Sequence, residues 1–101
     1  MLNAIYFWDD NDVKKFMYGW EVPAGDVDSR FTVVSIPETT WVVISASIED
    51  DRFGVIQCYE DLYTNWFPTS PYNQAPNRPI IEKYPNQHQV ELWIPITDRE
   101  L

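Results

Sequence analysis

The sequence predicts an α+β domain, an antiparallel sheet carrying one main helix. Two hairpin patterns stand near opposite ends of the chain, "NAIYFWDDNDVKKFMYGWEV" and "IIEKYPNQHQVELWIPI". Between them one stretch has helical periodicity, with Val55, Tyr59, Leu62 and Trp66 at spacings of four, three and four. Runs of strands with a single packed helix, rather than strict strand–helix alternation, give α+β. A chain of 101 residues fits one domain, taken here as 1–101.

The elements follow in order. A first strand runs Asn3 to Trp8, "DDND" turns it, and a second strand runs to about Val22. Phe16, Tyr18, Trp20 and Val22 alternate with Lys15, Met17, Gly19 and Glu21, so one face of this strand is strongly aromatic. "PAGDVDSR" is a loop rich in turn formers. Pro37 cannot donate to a ladder, so "FTVVSIPETTWVVISAS" divides into a short extended segment, Phe31 to Ile36, a kink, and a strand, Thr40 to Ser47. The helix is expected over about Gly54 to Phe67, capped by Asp50 or Asp51 and stopped by Pro68. "TSPYNQAPNRP" reads as a proline-spaced connection to the closing strand pair.

Composition narrows the function. Hydrophobic residues make up 45% and aromatics 16%, with five Trp and six Tyr, enough for a core and for an aromatic-lined pocket or interface. The net charge of −9 leaves no positive stripe to neutralise phosphates, which argues against direct nucleic-acid binding. Acidity favours cationic ligands or basic partners. One cysteine, Cys58, excludes an internal disulfide and suits a reducing compartment. Nothing approaches the roughly 20 apolar residues of a membrane span, and no signal peptide opens the chain, so a cytoplasmic location is expected. A lone His88, a lone Cys58 and three scattered glycines give no zinc site, Cys–His pair or phosphate loop, and "DDND" and "EDD" lack EF-hand spacing. No metal, cofactor or catalytic group is expected.

Glu82 is the residue that asks for an explanation. On its strand it shares a face with Ile80 and Tyr84, while Ile81 and Lys83 point the other way. One reading is an edge strand with Glu82 solvated or paired to a cross-strand lysine. The other is a half-buried carboxylate on the floor of an aromatic cavity, charged only if hydrogen-bonded or matched by a cation. Tyr84, Tyr59, Trp66, Trp41, Trp93 and Trp20 form the pool from which ligand-binding walls would be drawn, with alternation sending some of them into the core.

The ordered pieces "IPETTW", "NWFPTSPYN", "PIIEKYP" and "VELWIPI" resemble the gyrase-inhibitor-like (GyrI-like) effector-binding domain family. That family is attached to AraC-type regulators of transcription and is related in fold to the SOUL haem-binding proteins. The matching positions are Ile36, Pro37 and Trp41, then Trp66, Phe67, Pro68 and Tyr72, then Glu82 and Tyr84, then Glu91 to Pro95. The resemblance implies a duplicated strand–helix–strand–strand fold with two helices flanking a concave sheet. It puts Glu82 in the place of the cleft glutamate that meets cationic, aromatic ligands, with Tyr84 and Trp66 as wall aromatics. Complete members have roughly 150 residues and begin with a strand and helix not seen here. The resemblance therefore implies a partial domain whose second repeat, Thr40 to Pro95, is whole.

The leading expectation is a small-molecule effector-binding module. A protein-interaction or inhibitor module of the gyrase-inhibitor type is the alternative, and a hydrolase of electrophilic small molecules ranks last, because fold analogy is a weak warrant for chemistry. A homodimer is also expected. Tyr6, Trp8, Phe16, Tyr18 and Trp20 add more aromatic area than one helix can cover, and exposed patches of that kind mark interfaces.

Overall fold

Asp9 turns the first hairpin. Its Oδ1 accepts the backbone N–H groups of Asn11 and Val13, both at 2.9 Å. Asp12 takes the left-handed conformation at φ 62°, which a short polar side chain tolerates better than most. The strands on either side, β1 (Leu2–Trp8) and β2 (Lys14–Gly19), pair antiparallel. In the computed structural model, which describes residues 1–22, 24–48 and 53–99, the chain continues as β3 (Thr40–Ser47), the helix, β4 (Tyr72–Gln74), β5 (Ile80–Asn86) and β6 (Gln89–Asp98). One antiparallel sheet results, in the order β2-β1-β5-β6-β3, with β4 pairing the last residues of β6. The fold is α+β, as the sequence predicts.

β6 is the spine of the core. Val90, Leu92, Ile94 and Ile96 alternate along it, all buried on the face beneath the helix. The helix lays Cys58, Leu62 and Phe67 onto them, and Val42, Ile44 and Ala46 of β3 extend the contact. Each such aliphatic side chain contributes about 1.5–3 kcal/mol when fully buried. Both core clusters join the helix to β3, β5 and β6. The β2 side of the same face is different: Phe16 and Tyr18 remain 48% and 62% exposed. The helix therefore roofs one half of the sheet and leaves the other half open.

The helix itself corrects one expectation. Pro68 does not stop it. An α-helix, Phe53–Asp61, passes through a π-helical turn, Leu62–Trp66, into a last α turn, Phe67–Thr69. A proline ring inside a helix collides with the carbonyl one turn back and supplies no N–H. The π turn widens the spiral just ahead of it, with the Phe67 N–H reaching back five residues to the Leu62 carbonyl. The chain leaves at Ser70, whose buried hydroxyl bonds the carbonyls of Phe67 and Tyr72 at 3.2 and 3.1 Å.

Other boundaries shift for equally local reasons. The segment 31–36 forms no strand. Phe31, Val33 and Ile36 stay exposed, while Thr39 Oγ1 donates to the Pro37 carbonyl at 2.7 Å and folds the chain toward β3. β2 ends at Gly19 rather than near Val22. β4, three residues inside the proline-spaced connection, pairs with β6 only because β5 starts too late to occupy that edge. The expected caps Asp50 and Asp51 lie outside the described residues. No helix among the described residues is long and apolar enough to cross a membrane.

At Gly54 the helix comes close to the end of β3. A Cβ built there would stand 2.6 Å from the Ser47 carbonyl oxygen, an approach that backbone cannot give way to cheaply. Gly54→Ala should therefore destabilise the fold by about 1–3 kcal/mol, the scale of overpacking, although alanine favours a helix interior by about 1 kcal/mol. Urea unfolding of the two proteins measures the difference, and an unchanged or more stable variant would contradict this packing.

Candidate functional site

Glu82 lies at the middle of the sheet, where a side chain has strands on both sides. Its β1 neighbour is Ala4 and its β6 neighbour is Leu92, both almost fully buried. Glu82 itself is only 6% exposed. The solvated edge residue that the sequence left open is thereby excluded. So is the cross-strand lysine: the ion pairs among the described residues do not include Glu82.

Two phenols hold the carboxylate instead. Tyr84, two residues along the same strand and so on the same face, donates to Oε1 at 2.6 Å. Tyr59 descends from the helix and donates to Oε2 at 2.7 Å. A buried carboxylate costs several kcal/mol in lost hydration, and each charge-assisted hydrogen bond returns about 1.5–3 kcal/mol. The phenols respond in turn. Tyr59 and Tyr84 are pushed well above the ordinary phenol range, first by burial, then by the hydrogen bond to Glu82 and its charge. Tyr6 is raised as well, by burial and then by the same carboxylate.

Aromatic rows flank this group on both sides. Along the helix, Tyr59 stacks with Tyr63 at 6.5 Å and Tyr63 with Phe67 at 5.5 Å. On the strands, the register places Tyr6 beside Ile80 and Phe16, and Ala4 beside Glu82 and Tyr18, all on the face of Glu82. There Phe16 meets Tyr6 and Tyr18, both at 4.9 Å. The result is a trough with a carboxylate in its floor, rings on either side and a roof over the helix side alone. Such an arrangement suits a flat apolar ligand bearing positive charge.

A family profile described as integron-associated effector binding protein (Cass2) matches residues 3–96. The chain belongs to that family. No curated protein and no solved structure matches it. The match spans every strand from β1 to most of β6, and effector binding is the trait that the family description carries.

Within this effector-binding module the sequence-derived residues separate into groups. Glu82, Tyr84 and Tyr59 come together. Trp66 does not reach them: it packs against the cluster of Leu62, Phe67, Ile94 and Ile96, stacks on Tyr72 at 6.1 Å and faces a groove toward β3. Trp41 and Trp93 stand on the opposite face of the sheet, edge to face at 5.9 Å. Alternation puts them there, since Trp93 pairs with Ile81 and Val43, one register step from the Glu82–Leu92 pair. Lys83 lies 4.7 Å from the Trp93 ring centroid on that far side. Trp20, just past β2, is 67% exposed. Tyr6, Phe16, Tyr18 and Tyr63 flank the trough without having been singled out as site residues. The alternating aromatics of β2 were visible, but only the β1–β5 register brings them beside Glu82.

The half-buried phenols set an alkaline limit on stability. Their folded pKa values lie above the unfolded value of about 10. The folded state therefore keeps protons that the unfolded state releases, and the contribution is complete below that pH and falls as pH rises above it. The thermal midpoint should drop steadily above about pH 10, and Tyr59→Phe should flatten that slope. Melting curves across this range, read by circular dichroism, provide the check; identical slopes would mean that Tyr59 ionises as readily folded as unfolded.

Proposed function

We propose that the trough binds a small, flat, cationic effector, with Glu82 facing the positive charge and the tyrosine rows holding the rings. The observation that carries this reading is the buried Glu82 carboxylate, held by two neutral phenols and, among the described residues, by no cation. Neutral donors lessen the cost of burial but leave the negative charge uncompensated, and a cationic ligand would supply what is missing. Tyr59 and Tyr84 act as positioning groups that fix the carboxylate. Tyr6, Tyr63 and Phe16 offer ring faces. Placement of the module in an AraC-type transcription regulator is part of the proposal, and its support is the resemblance carried by Trp66, Pro68, Glu82, Tyr84 and the "ELWIP" strand. A carboxylate beside phenols also suits hydrolysis, and turnover of an electrophile abolished in Glu82→Gln would move the reading to catalysis.

The probe is N-methylacridinium, with neutral acridine as the ring-matched control, both followed by dye fluorescence. The cation should bind the wild-type protein more tightly than acridine does. Glu82→Gln should weaken the cation by about 1–3 kcal/mol, roughly 5- to 150-fold, and leave acridine nearly unchanged. Equal loss for both dyes, or none for either, would remove Glu82 from the site.

We infer further that a second copy of the chain closes the unroofed half of the trough. Phe16 and Tyr18 of β2 meet edge to face, and with Trp20 just past the strand they are 48%, 62% and 67% exposed. An apolar shelf of this kind is usually covered, most often by a two-fold partner. Sedimentation equilibrium at micromolar concentration should give a dimer, and the double variant Phe16→Ser, Tyr18→Ser should give a folded monomer. A wild-type monomer would sink the inference.

A further inference from the structure

The two edges of the sheet are finished differently. β2, at one end, carries Lys14 and Lys15, and lysines on an edge strand oppose further pairing. β3, at the other end, has no such protection. Its eight residues, "TWVVISAS", contain no charge and no proline. Their register with β6 runs unbroken from Thr40 opposite Ile96 to Ser47 opposite Gln89, so no bulge twists the edge away. Among the described residues no strand pairs with its outer side. Alternate backbone N–H and C=O groups of β3 therefore point outward, in the geometry that an added strand would need.

Beside this edge lies a groove of about 590 Å³ between β3 and the helix. Val42, Ile44, Leu62 and Trp66 give it apolar walls, and Asp61 and Asn65 line it from the helix. Asp61 is held by its own helix: Gln57 Nε2 and Asn65 Nδ2 both donate to Oδ1, at 3.0 and 3.5 Å. Both donors are neutral and both use the same oxygen, which leaves Oδ2 for a cation. The ion pairs among the described residues do not include Asp61. Neither β3 nor the helix from Phe53 to Thr69 contains a lysine or arginine.

We propose that the β3 edge is a docking site for an extended basic segment of another protein, which adds to the sheet as a further strand. Its backbone pairs with β3, an apolar side chain enters the groove over Val42, Ile44 and Trp66, and a lysine or arginine meets Asp61. The backbone of β3 dictates an extended partner, and the charge dictates its sign. A second copy of this chain fits the edge poorly, because it would bring a cation-free strand and a second Asp61 against the first. This site lies on the far side of the helix from Glu82 and does not rest on the effector reading.

The probe is a fluorescein-labelled peptide of repeated Val-Thr-Lys-Thr, which in an extended strand puts valine and lysine on one face and threonine on the other, titrated into the full chain and followed by anisotropy. Saturable binding is expected, together with loss of binding when alternate peptide nitrogens are methylated and no binding of the valine–glutamate analogue. Asp61→Asn should weaken the peptide about tenfold, the scale of one charge-assisted contact. Asp10→Asn, which removes the same charge from the distant hairpin turn, should leave affinity unchanged. Circular dichroism confirms that both variants are folded. Equal binding of the methylated peptide would overturn strand addition, and equal effects of the two aspartate variants would reduce the interaction to general attraction by net charge. A dimer that the peptide splits would show that a second copy holds this edge, which also overturns the proposal.

Discussion

The hydrogen bonds from Tyr59 and Tyr84 to Glu82 are the contacts on which the rest of this molecule hinges. The bond from Tyr59 joins helix to sheet by something directional rather than by apolar area alone, and the bond from Tyr84, on the same strand as Glu82, fixes the other carboxylate oxygen. Aliphatic packing over β6 tolerates small sliding, because dispersion has little angular preference. A carboxylate that accepts one phenol on each oxygen does not. It fixes the rotation of the helix about its own axis and, with it, which residues roof the trough and which face the β3 groove. Tyr59 and Tyr63 go to one flank; Asp61 and Asn65 go to the other.

The π turn acts on that arrangement from within the helix. It admits Pro68 without ending the helix, and it carries the chain on to Thr69 before Ser70 turns it away. A helix ending at Phe67 would leave the stacked row Tyr59–Tyr63–Phe67 at the frayed end of an element. Extended by the wider turn, the same row rests on ordered backbone. Widened turns of this kind occur often at functional sites, and here the wide turn contains Tyr63, the middle ring of the row.

Much of this architecture was legible in the sequence, and the limits have physical causes. Alternation in "VELWIPI" and the four–three–four stripe from Val55 to Trp66 are local periodicities, so the strands, the helix and the α+β class could be read directly. Glu82 was conspicuous because a carboxylate interrupts an apolar strand. Its partners were harder to name. Tyr84 lies on the same strand face and followed from parity; Tyr59 depended on the helix lying over β5, which no local pattern encodes. Trp41 and Trp93 entered the pool as large aromatics in neighbouring strands, but a single step of register puts them on the opposite face. Pro68 misled for the opposite reason. The rule that proline ends a helix assumes α geometry, and the chain changed the geometry instead.

The sorting of the aromatic residues also governs what light can report about this protein. The five tryptophans sit in four kinds of place: Trp41 and Trp93 behind the sheet, Trp66 half-buried beside Tyr72, Trp8 at the end of β1, Trp20 in solvent. The rings around Glu82 are tyrosines and phenylalanine. Excitation selective for tryptophan therefore samples the scaffold, while the trough absorbs as phenol and passes its excitation on by energy transfer. An occupant of the trough would intercept that transfer before it quenched any indole directly. Tyrosine-sensitised emission, rather than tryptophan intensity, is the optical channel that opens onto Glu82.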